Sequence, residues 1–367
     1  MKYKIHTDFS ILPPDVQCAY MLFPVLGLHG AYPMDKHEVH KYRFDELLVS
    51  GNQIFDITSK LEADYFVLPF HWEEIRYHPE LKEKALDYIN SNNKSDCPTL
   101  VFYIQDDDDP LPVPEKQTIV VRTSLNRSEK RNNERVFPAI CDDLLRHYYD
   151  GEIPLRQKRD KPVVGFCGTT HKYRAKRCRK ISFFVGQNPQ IYKIFKNRGV
   201  ELFTHKGARV RLQSVFVVQR SKLIFPNLIV RDQFWNGALR RRGTFVEDQL
   251  VNARNEFVNN IINSDYVLCA RGTGNYSYRL YETMCCGRIP VFIDSDNELP
   301  FEKEIPWKQL CVHVKEDEIA LLDKKVLEFH NKLSPNEFIE LQKKNREIWV
   351  EWFSAQGFYK HLPQLIN

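Results

Sequence analysis

The chain has 367 residues, a formal net charge of +5 at pH 7 and 43% hydrophobic residues. A chain of this length is too long for one ordinary core and fits two α/β lobes. No window is long and apolar enough to predict a membrane-spanning helix, and the first residues lack the apolar run of a signal peptide, so we expect a soluble, cytoplasmic protein. The nine cysteines are scattered without a Cys-x-x-Cys pair, which predicts free thiols in a reducing compartment and no zinc site.

The first half of the chain alternates helices with short apolar strands. Residues 44–59 have the periodicity of an amphipathic helix, and residues 65–69 form an apolar run that ends in proline. A second helix is predicted over 81–90, and buried strands are predicted over 99–104 and 118–121. This alternation is typical of a parallel sheet that is covered on both faces.

The second half repeats this architecture after a polar, linker-like segment. An apolar strand over 163–168 runs into a turn of small residues, and a helix over 181–196 leads to strands around Tyr266, Ile289 and Cys311. The apolar stripe of residues 335–365 predicts a long terminal helix, which packs on its own lobe or crosses back to the first one.

A glycine-rich turn follows the strand around Tyr266. Gly272 and Gly274 flank Thr273, and the next helix is predicted to start near Ser277. In a parallel sheet such a turn lies at the carboxyl end of its strand and opens into the ligand crevice. Glycine permits a sharp turn and the close approach of a phosphate, while Ser277 can cap the helix or donate to a phosphate oxygen. The turn therefore predicts an anion site.

Charged side chains surround this turn. Arg271 and Arg279 bracket it with permanent positive charge and planar donors, which suit a diphosphate. Glu282 lies on the same helix face as Arg279, where its carboxylate can accept two hydroxyl hydrogen bonds from a ribose. A surface salt bridge between Arg279 and Glu282 is the alternative interpretation.

The wider segment resembles a known family. The run from Arg271 to Glu282, followed by Gly287-Arg288-Ile289-Pro290-Val291, Leu299-Pro300-Phe301 and Ile305-Pro306-Trp307, is similar to the carboxyl-terminal signature of exostosin-like glycosyltransferases. The run from Phe55 to Phe70 is similar to the amino-terminal pattern of the same family. Residues 26–42 and 172–252 match least well. The short chain without a predicted membrane anchor resembles bacterial or viral members.

The resemblance implies an α/β GT-B fold, in which two Rossmann-like domains face a central cleft. With the linker-like segment and the terminal apolar stripe as boundaries, we expect an acceptor-side domain over 1–155, a donor domain over 156–334 and a helical segment over 335–367. The resemblance also implies inverting transfer from a nucleoside diphosphate sugar, with a UDP-sugar favoured, to a glycan acceptor in polysaccharide or glycoprotein glycan synthesis, without a metal or other cofactor. Carried over residue by residue, the donor-binding set is Gly168, Arg174, Arg271, Gly272, Gly274, Ser277, Arg279 and Glu282.

Inverting transfer needs a base that deprotonates the acceptor hydroxyl from the opposite face of the donor ring. Such a base is expected from the first lobe, where residues after the strands lie at the carboxyl edge of the sheet. The candidates are His71, Glu73 and Asp106. Further options are Glu74 and Asp107 to Asp109 at the same strand ends, and His29 and Asp35 in an earlier loop. A structural role is the competing interpretation for each of them.

Two other functions compete with this prediction. The run Asp106-Asp107-Asp108-Asp109 is either a solvated acidic loop, a source of the base, or the divalent-cation site of a metal-dependent GT-A-like transferase. The basic clusters at 156–161, 171–180 and 240–242 are also compatible with a non-catalytic nucleotide or polyanion binding protein. We expect no nucleic-acid partner, while these clusters allow peripheral association with a membrane surface or an anionic glycan.

Overall fold

The computed structural model describes residues 2–29, 40–92, 97–170, 187–197, 206–231 and 247–366. The chain divides into two compact units. The first consists of Met1–Asp142, Asp296–Glu304 and Glu351–Asn367, and the second of Asp143–Ser295 and Ile305–Val350. The sequence predicts domain boundaries at residues 155 and 334. Whether these segments fold as independent domains stays a prediction.

The first unit contains a six-stranded parallel sheet. Its strands are β1 (Tyr3–His6), β2 (Phe55–Ile57), β3 (Tyr65–Val67), β4 (Thr99–Tyr103), β5 (Thr118–Arg122) and β6 (Glu134–Val136), in the order β2-β1-β3-β4-β5-β6. Every residue of β3 and β4 is buried. Their nearly continuous apolar sequence is what a sheet covered on both faces requires, so the strands predicted there are confirmed.

The helices of the first unit are Phe23–Leu26, Asp45–Ser50, Leu81–Ser91 and Ala355–Ile366. The prediction of one helix over 44–59 is wrong beyond Ser50, because Phe55–Ile57 pairs in register with β1 instead. Gly51 lies directly after the helix, and a Cβ there would overlap the ring of Pro24. Helical periodicity alone did not reveal this short edge strand, since pairing with a distant segment decides it.

The second unit contains a five-stranded parallel sheet. Its strands are β7 (Val163–Thr169), β8 (Phe225–Arg231), β9 (Tyr266–Cys269), β10 (Ile289–Asp294) and β11 (Val312–Lys315), in the order β11-β10-β9-β7-β8. The predicted strands are confirmed, whereas β8 was not predicted. It is an edge strand with a proline at its second position and largely exposed or half-buried residues, so it lacks the apolar signature of the others.

The helices of the second unit are Leu144–Tyr148, Pro189–Asn197, Lys206–Arg220, Glu247–Ile262, Tyr278–Cys285, Trp307–Leu310, Leu322–Lys332 and Pro335–Ile348. The first part of the helix predicted over 181–196 lies outside the described residues, and the described part begins at Pro189. Two parallel sheets, each flanked by helices, confirm the predicted α/β class and the Rossmann-like character of both halves.

The carboxyl-terminal segment is two helices rather than one. Pro335–Ile348 ends at a π-helical turn, Trp349–Phe353, and Ala355–Ile366 follows it in the first unit. There the Tyr3 hydroxyl donates to the Tyr359 carbonyl at 2.8 Å. The carboxyl-terminal segment therefore crosses back to the first half of the chain, which confirms one of the two predicted arrangements.

The cysteines of the described residues are free thiols, and all of them except Cys97 are buried. Burial raises the pKa of the Cys269 thiol to about 12, so this group stays protonated and unreactive at neutral pH. Within the described ranges, no helix has the length and apolar content needed to cross a membrane.

Candidate functional site

The strand order of the second sheet defines where a ligand is expected. The chain leaves β7 for β8 on one side and later enters β9 on the other side of β7. The carboxyl ends of β7 and β9, at Thr169 and Cys269, therefore flank a topological switch point. In open α/β sheets the crevice outside such a point is the usual position of a ligand.

Arg279 lies at this switch point. It belongs to the helix that follows β9, and its Nη2 donates to the carbonyl oxygen of Cys167 in β7 at 2.7 Å. Its guanidinium carbon lies 4.5 Å from the ring centre of Phe166, which is within the range of a cation–π contact. The Nε atom of Arg279 is buried and has no hydrogen-bond partner among the described residues. The side chain is thus held in place with donor capacity left over.

Gly168 makes room for that guanidinium. A Cβ built at Gly168 would lie 2.9 Å from Nη2 of Arg279. The absence of a side chain there lets the arginine reach the end of β7. The two residues, both predicted from the sequence as part of one donor site, are therefore neighbours in the structure.

A second arginine at this position was not predicted. Arg211, on the helix Lys206–Arg220, donates through Nη1 to the carbonyl of Thr169 at 3.2 Å and through Nε to that of Gly207 at 3.4 Å. Burial first, and then the positive charge of Arg279, lower the pKa of Arg211 to about 10. Arg211 therefore stays charged at neutral pH. No sequence signal linked them, because 68 residues separate them and only the sheet topology brings them together.

The glycine-rich turn differs from the predicted anion nest. The amide of Gly272 donates to the Tyr276 carbonyl at 3.0 Å, so it closes the turn and does not face an anion. Neither Gly272 nor Gly274 has a positive φ. The close approach is instead made by Gly207, where a Cβ would overlap the Gly272 carbonyl oxygen. A Cβ on Gly272 would meet nothing within 4 Å, so this position borders open space.

Ser277 and Arg271 frame the turn in different ways. Ser277 precedes the helix Tyr278–Cys285 with an extended backbone, but its side chain makes no capping hydrogen bond. The capping role predicted for it is therefore wrong, and donation to a phosphate stays a prediction. Arg271 is 6% exposed, and its Nη2 donates to the Thr273 carbonyl at 3.0 Å. Its guanidinium thus holds the turn together.

Other polar contacts fix the far side of the turn. The Ser295 hydroxyl, just after β10, bonds with the Asn275 side-chain oxygen at 2.8 Å. The ammonium of Lys206 donates to the Ser295 carbonyl at 3.2 Å and lies 3.4 Å from a carboxylate oxygen of Glu316. These contacts connect the glycine-rich turn to the end of β10 and to the start of the helix Lys206–Arg220.

Glu282 does not pair with Arg279. Its Oε1 accepts a hydrogen bond from Nη1 of Arg254 at 2.9 Å, and each of the two side chains is 5% exposed. The alternative predicted from the sequence, a surface salt bridge between Arg279 and Glu282, is therefore wrong. The buried pair instead joins the helices Glu247–Ile262 and Tyr278–Cys285, and the ribose role of Glu282 stays a prediction. Arg174, also predicted at the donor site, lies outside the described residues.

The basic cluster at 156–161 is partly neutralised. Nε of Arg156 donates to Oδ1 of Asp265 at 2.6 Å, and that carboxylate is fully buried. Lys161 lies 5.7 Å from the ring centre of Phe225. The clusters at 171–180 and 240–242 lie outside the described residues.

The base candidates of the first unit have different environments. His71 is 1% exposed, its Nε2 accepts from the Tyr20 amide at 3.1 Å, and burial, followed by the charge of Arg43, lowers its pKa to about 3. A group with this pKa is a weak base and cannot reach solvent. These properties do not favour proton transfer by His71, and its assignment as a candidate base stays a prediction.

Glu73 has the chemistry that a general base requires. Its Oε2 accepts from the Ile104 amide at 3.0 Å, so it joins the carboxyl ends of β3 and β4. Its side chain is 12% exposed. Burial raises the pKa of this carboxyl to about 7, against the opposing effect of the Ile104 hydrogen bond. A carboxylate with a pKa close to the working pH is suited to proton transfer.

The acidic run at 106–109 is organised by neighbouring side chains. Asp106 is exposed. Asp107 accepts a hydrogen bond from the Tyr103 hydroxyl and lies 3.7 Å from Nη2 of Arg122, while Asp108 accepts from the Ser124 hydroxyl. The described ranges contain no group of three or more His, Cys, Asp or Glu side chains arranged to hold a metal ion.

Taken together, the fold and these contacts define a two-unit α/β protein with basic side chains at the switch point of its second sheet. The Exostosin GT47 domain model matches residues 229–328, which contain the glycine-rich turn, Arg279 and Glu282. Over this segment the chain is exostosin-like, and the resemblance predicted from the sequence is confirmed.

Two relatives illustrate the similarity. Exostosin-1 of Drosophila melanogaster is 28% identical over 212 residues, which is 58% of this chain and 25% of that protein. A probable glucuronosyltransferase of Oryza sativa subsp. japonica is 43% identical over 58 residues, 16% of this chain and 14% of that protein. The matches therefore span a small part of these longer relatives. A solved glycosyltransferase from Rickettsia africae ESF-5 aligns over 100% of this chain and 98% of its own, with 10% identity and a TM-score of 0.39.

Proposed function

We propose that the chain is a glycosyltransferase that moves a sugar from a nucleoside diphosphate sugar to a glycan acceptor. The observation that carries this proposal is Arg279, anchored on the end of β7 at the switch point of the second sheet, within the exostosin-like segment. A fixed guanidinium whose terminal nitrogens keep N–H groups beyond the one bonded to the Cys167 carbonyl is a suitable partner for a phosphate. The proposed donor, with a UDP-sugar favoured, binds at this edge.

The proposed reaction inverts the sugar and requires no metal. The bond between the anomeric carbon and the phosphate oxygen breaks, its electron pair stays on that oxygen, and the acceptor oxygen forms the new bond. The departing diphosphate gains negative charge, which positioned guanidinium groups stabilise. Arg279 supports this role because it is already fixed before a ligand binds. The acceptor proton passes to a base.

We propose Glu73 as that base. Of the three candidates, His71 has a strongly lowered pKa and is buried, and Asp106 is exposed to water. Glu73 combines partial exposure with a pKa raised to about 7. The raised proton affinity of Glu73 suits the task of a general base.

Thermal-shift measurements test this proposal. The purified chain is heated with UDP-, GDP- and CDP-sugars, each with and without a chelator. A donor present at 100 times its Kd stabilises the folded protein by about 2.7 kcal/mol, which is a readily measured rise in Tm. We expect such a rise with at least one nucleotide sugar, and we expect it to persist with chelator.

Other outcomes contradict parts of the proposal. A shift that disappears with chelator would favour the metal-dependent alternative built on the run at 106–109. A shift with any polyanion, steeply reduced by salt and indifferent to the nucleotide, would mark a polyanion-binding protein. No shift with any nucleotide sugar would contradict the donor assignment itself. If catalysis is confirmed, association of the basic cluster at 156–161 with a membrane or anionic glycan is a further proposal for vesicle and glycan binding assays.

A further inference from the structure

We propose that Arg211 is a second phosphate-binding guanidinium of this site, so that Arg211 and Arg279 together bind the terminal phosphate of the leaving nucleoside diphosphate. This assignment rests on the proposed function and adds a residue that no sequence pattern indicated. It makes the outer phosphate, rather than the one next to the nucleoside, the group that both arginines contact.

The two guanidinium groups are anchored on the same strand end. Arg211 donates to the carbonyl of Thr169, the last residue of β7, and Arg279 donates to the carbonyl of Cys167, two residues earlier. They approach from different helices, Lys206–Arg220 and Tyr278–Cys285. Both side chains are half-buried. The switch point therefore collects two cations from segments that are far apart in the chain.

The position of Arg211 is fixed by backbone contacts of its own helix. Its Nε donates to the carbonyl of Gly207, one turn earlier. Gly207 in turn lies against the Gly272 carbonyl so closely that a Cβ there would overlap it. The guanidinium of Arg211 is thus positioned relative to the glycine-rich turn before any ligand arrives, which reduces the entropy lost on binding.

Several arginines of the second unit have carboxylate partners, whereas Arg211 and Arg279 have none among the described residues. The matched pairs are Arg156 with Asp265, Arg209 with Glu316, Arg231 with Glu256, Arg254 with Glu282 and Arg346 with Asp143. In the part of the chain that the structure describes, neither Arg211 nor Arg279 forms an ion pair with a carboxylate. Their hydrogen bonds go to backbone carbonyls instead.

Two like charges in a partly buried site disfavour each other. The positive charge of Arg279 is the second cause, after burial, of the lowered pKa of Arg211. An anion between or beside the two groups removes this repulsion and gains from both charges. A phosphoryl group has three acceptor oxygens and can bind two guanidinium groups at once. A carboxylate has two acceptor oxygens and is less suited to bind both.

The proposed reaction explains why the terminal phosphate is the expected ligand. This phosphate carries the oxygen that leaves the anomeric carbon, and that oxygen keeps the electron pair of the broken bond. Negative charge therefore increases there as the reaction proceeds. A second fixed guanidinium contributes more as this charge develops, so we expect Arg211 to affect turnover as well as binding.

Calorimetric titration of the full chain with UDP, GDP, UMP, GMP and inorganic pyrophosphate tests this assignment. The variant is Arg211→Gln, and the matched control is Arg220→Gln, which removes the same charge from the exposed end of the same helix. We expect Arg211→Gln to weaken the diphosphates and pyrophosphate at least tenfold and the monophosphates less than threefold. We expect Arg220→Gln to bind all of them like the wild type.

The outcomes separate this inference from the proposed function. If Arg279→Ala loses diphosphate affinity while Arg211→Gln keeps it, the assignment of Arg211 is overturned and the proposed function stands. An equal loss of mono- and diphosphates in Arg211→Gln would also overturn the terminal-phosphate assignment. If the wild type and Arg220→Gln bind no nucleoside diphosphate at all, the proposed function fails.

A second variant covers the case in which Arg211→Gln does not fold. Arg211→Lys keeps the positive charge but lacks the planar fork of donors. We expect it to lose at least fivefold in UDP or GDP affinity with little change in UMP or GMP affinity. Unchanged diphosphate affinity in this variant would overturn the claim that a guanidinium contacts the terminal phosphate.

Discussion

The guanidinium of Arg279 and the carbonyl oxygen of Cys167 are joined by a hydrogen bond of 2.7 Å, although 112 residues separate them in the chain. This contact connects the helix after β9 to the end of β7. It places a permanent cation where the strand order predicts a ligand crevice. The proposed donor site is built around this hydrogen bond.

Gly168→Ala is expected to displace Arg279. The added Cβ would lie 2.9 Å from Nη2, so the flexible end of the arginine must move away, and the backbone φ of +158° at this position also disfavours a side chain. We predict a fivefold or greater loss of UDP or GDP affinity, together with a Tm that is lower by about 2–4 °C because of the backbone strain of about 1 kcal/mol. Calorimetry and thermal unfolding measure the two quantities. Wild-type affinity in this variant would show that the position of Arg279 does not determine binding.

The glycines of the turn are expected to behave in opposite ways. A Cβ on Gly207 would overlap the Gly272 carbonyl, whereas a Cβ on Gly272 would meet nothing. We therefore predict that Gly207→Ala lowers the free energy of unfolding by about 2 kcal/mol, a typical cost of overpacking. Gly272→Ala is expected to unfold like the wild type in denaturant titrations while binding nucleoside diphosphates more weakly. The reverse order of stabilities would contradict the packing described for this turn.

Glu282→Gln is expected to reduce stability. The substitution removes the charge of the carboxylate that accepts from the buried guanidinium of Arg254, and breaking one side of a buried ion pair costs roughly 3 kcal/mol. The control is Glu340→Gln, which disrupts the exposed pair with Lys343 and is expected to cost less than about 1 kcal/mol. Equal effects of the two substitutions in urea titrations would contradict a structural role for the Arg254 pair.

Sequence reasoning found the parts of the fold and site that depend on local patterns. The strands around Tyr266 and Ile289 are continuous apolar runs, and Arg279 lies in a motif with a fixed spacing. Arg211 and Arg254 were missed because each acts on a segment that is distant in the chain, and nothing in their own neighbourhood marks them. Likewise, the environments that separate His71 from Glu73 depend on burial, which neither residue type nor spacing reveals.

Glu73 is expected to control the pH dependence of transfer. Burial raises the pKa of its carboxyl to about 7 from an ordinary value of 4.5, so the basic form becomes available as the pH rises through 7. We predict that kcat/KM of the wild type increases over this range. Glu73→Gln should abolish turnover while keeping nucleoside diphosphate affinity, and the exposed Glu115→Gln should change neither. A wild-type profile flat from pH 6 to 8 would argue against this base.

The raised pKa of Glu73 also makes the stability of the folded protein depend on pH. The folded protein holds the Glu73 proton more tightly than the unfolded chain, so the stability contributed by this group is lost as the pH rises from about 4.5 to about 7. Glutamine imitates the protonated carboxyl. Glu73→Gln should therefore be at least as stable as the wild type at pH 8. Lower stability at pH 8 would contradict the burial that raises this pKa.

Calorimetric titration of UDP and GDP into the wild type and Arg279→Ala, with chelator present, tests the central claim most directly. We predict saturable binding of at least one nucleotide to the wild type. The affinity of the variant should be lower by about 10- to 100-fold, because hydrogen bonds to a charged group contribute about 1.5–3 kcal/mol. The Tm of the two proteins should stay within a few degrees. Equal nucleotide affinity in both proteins, or no binding to the wild type, would contradict the donor site at the end of β7 and β9.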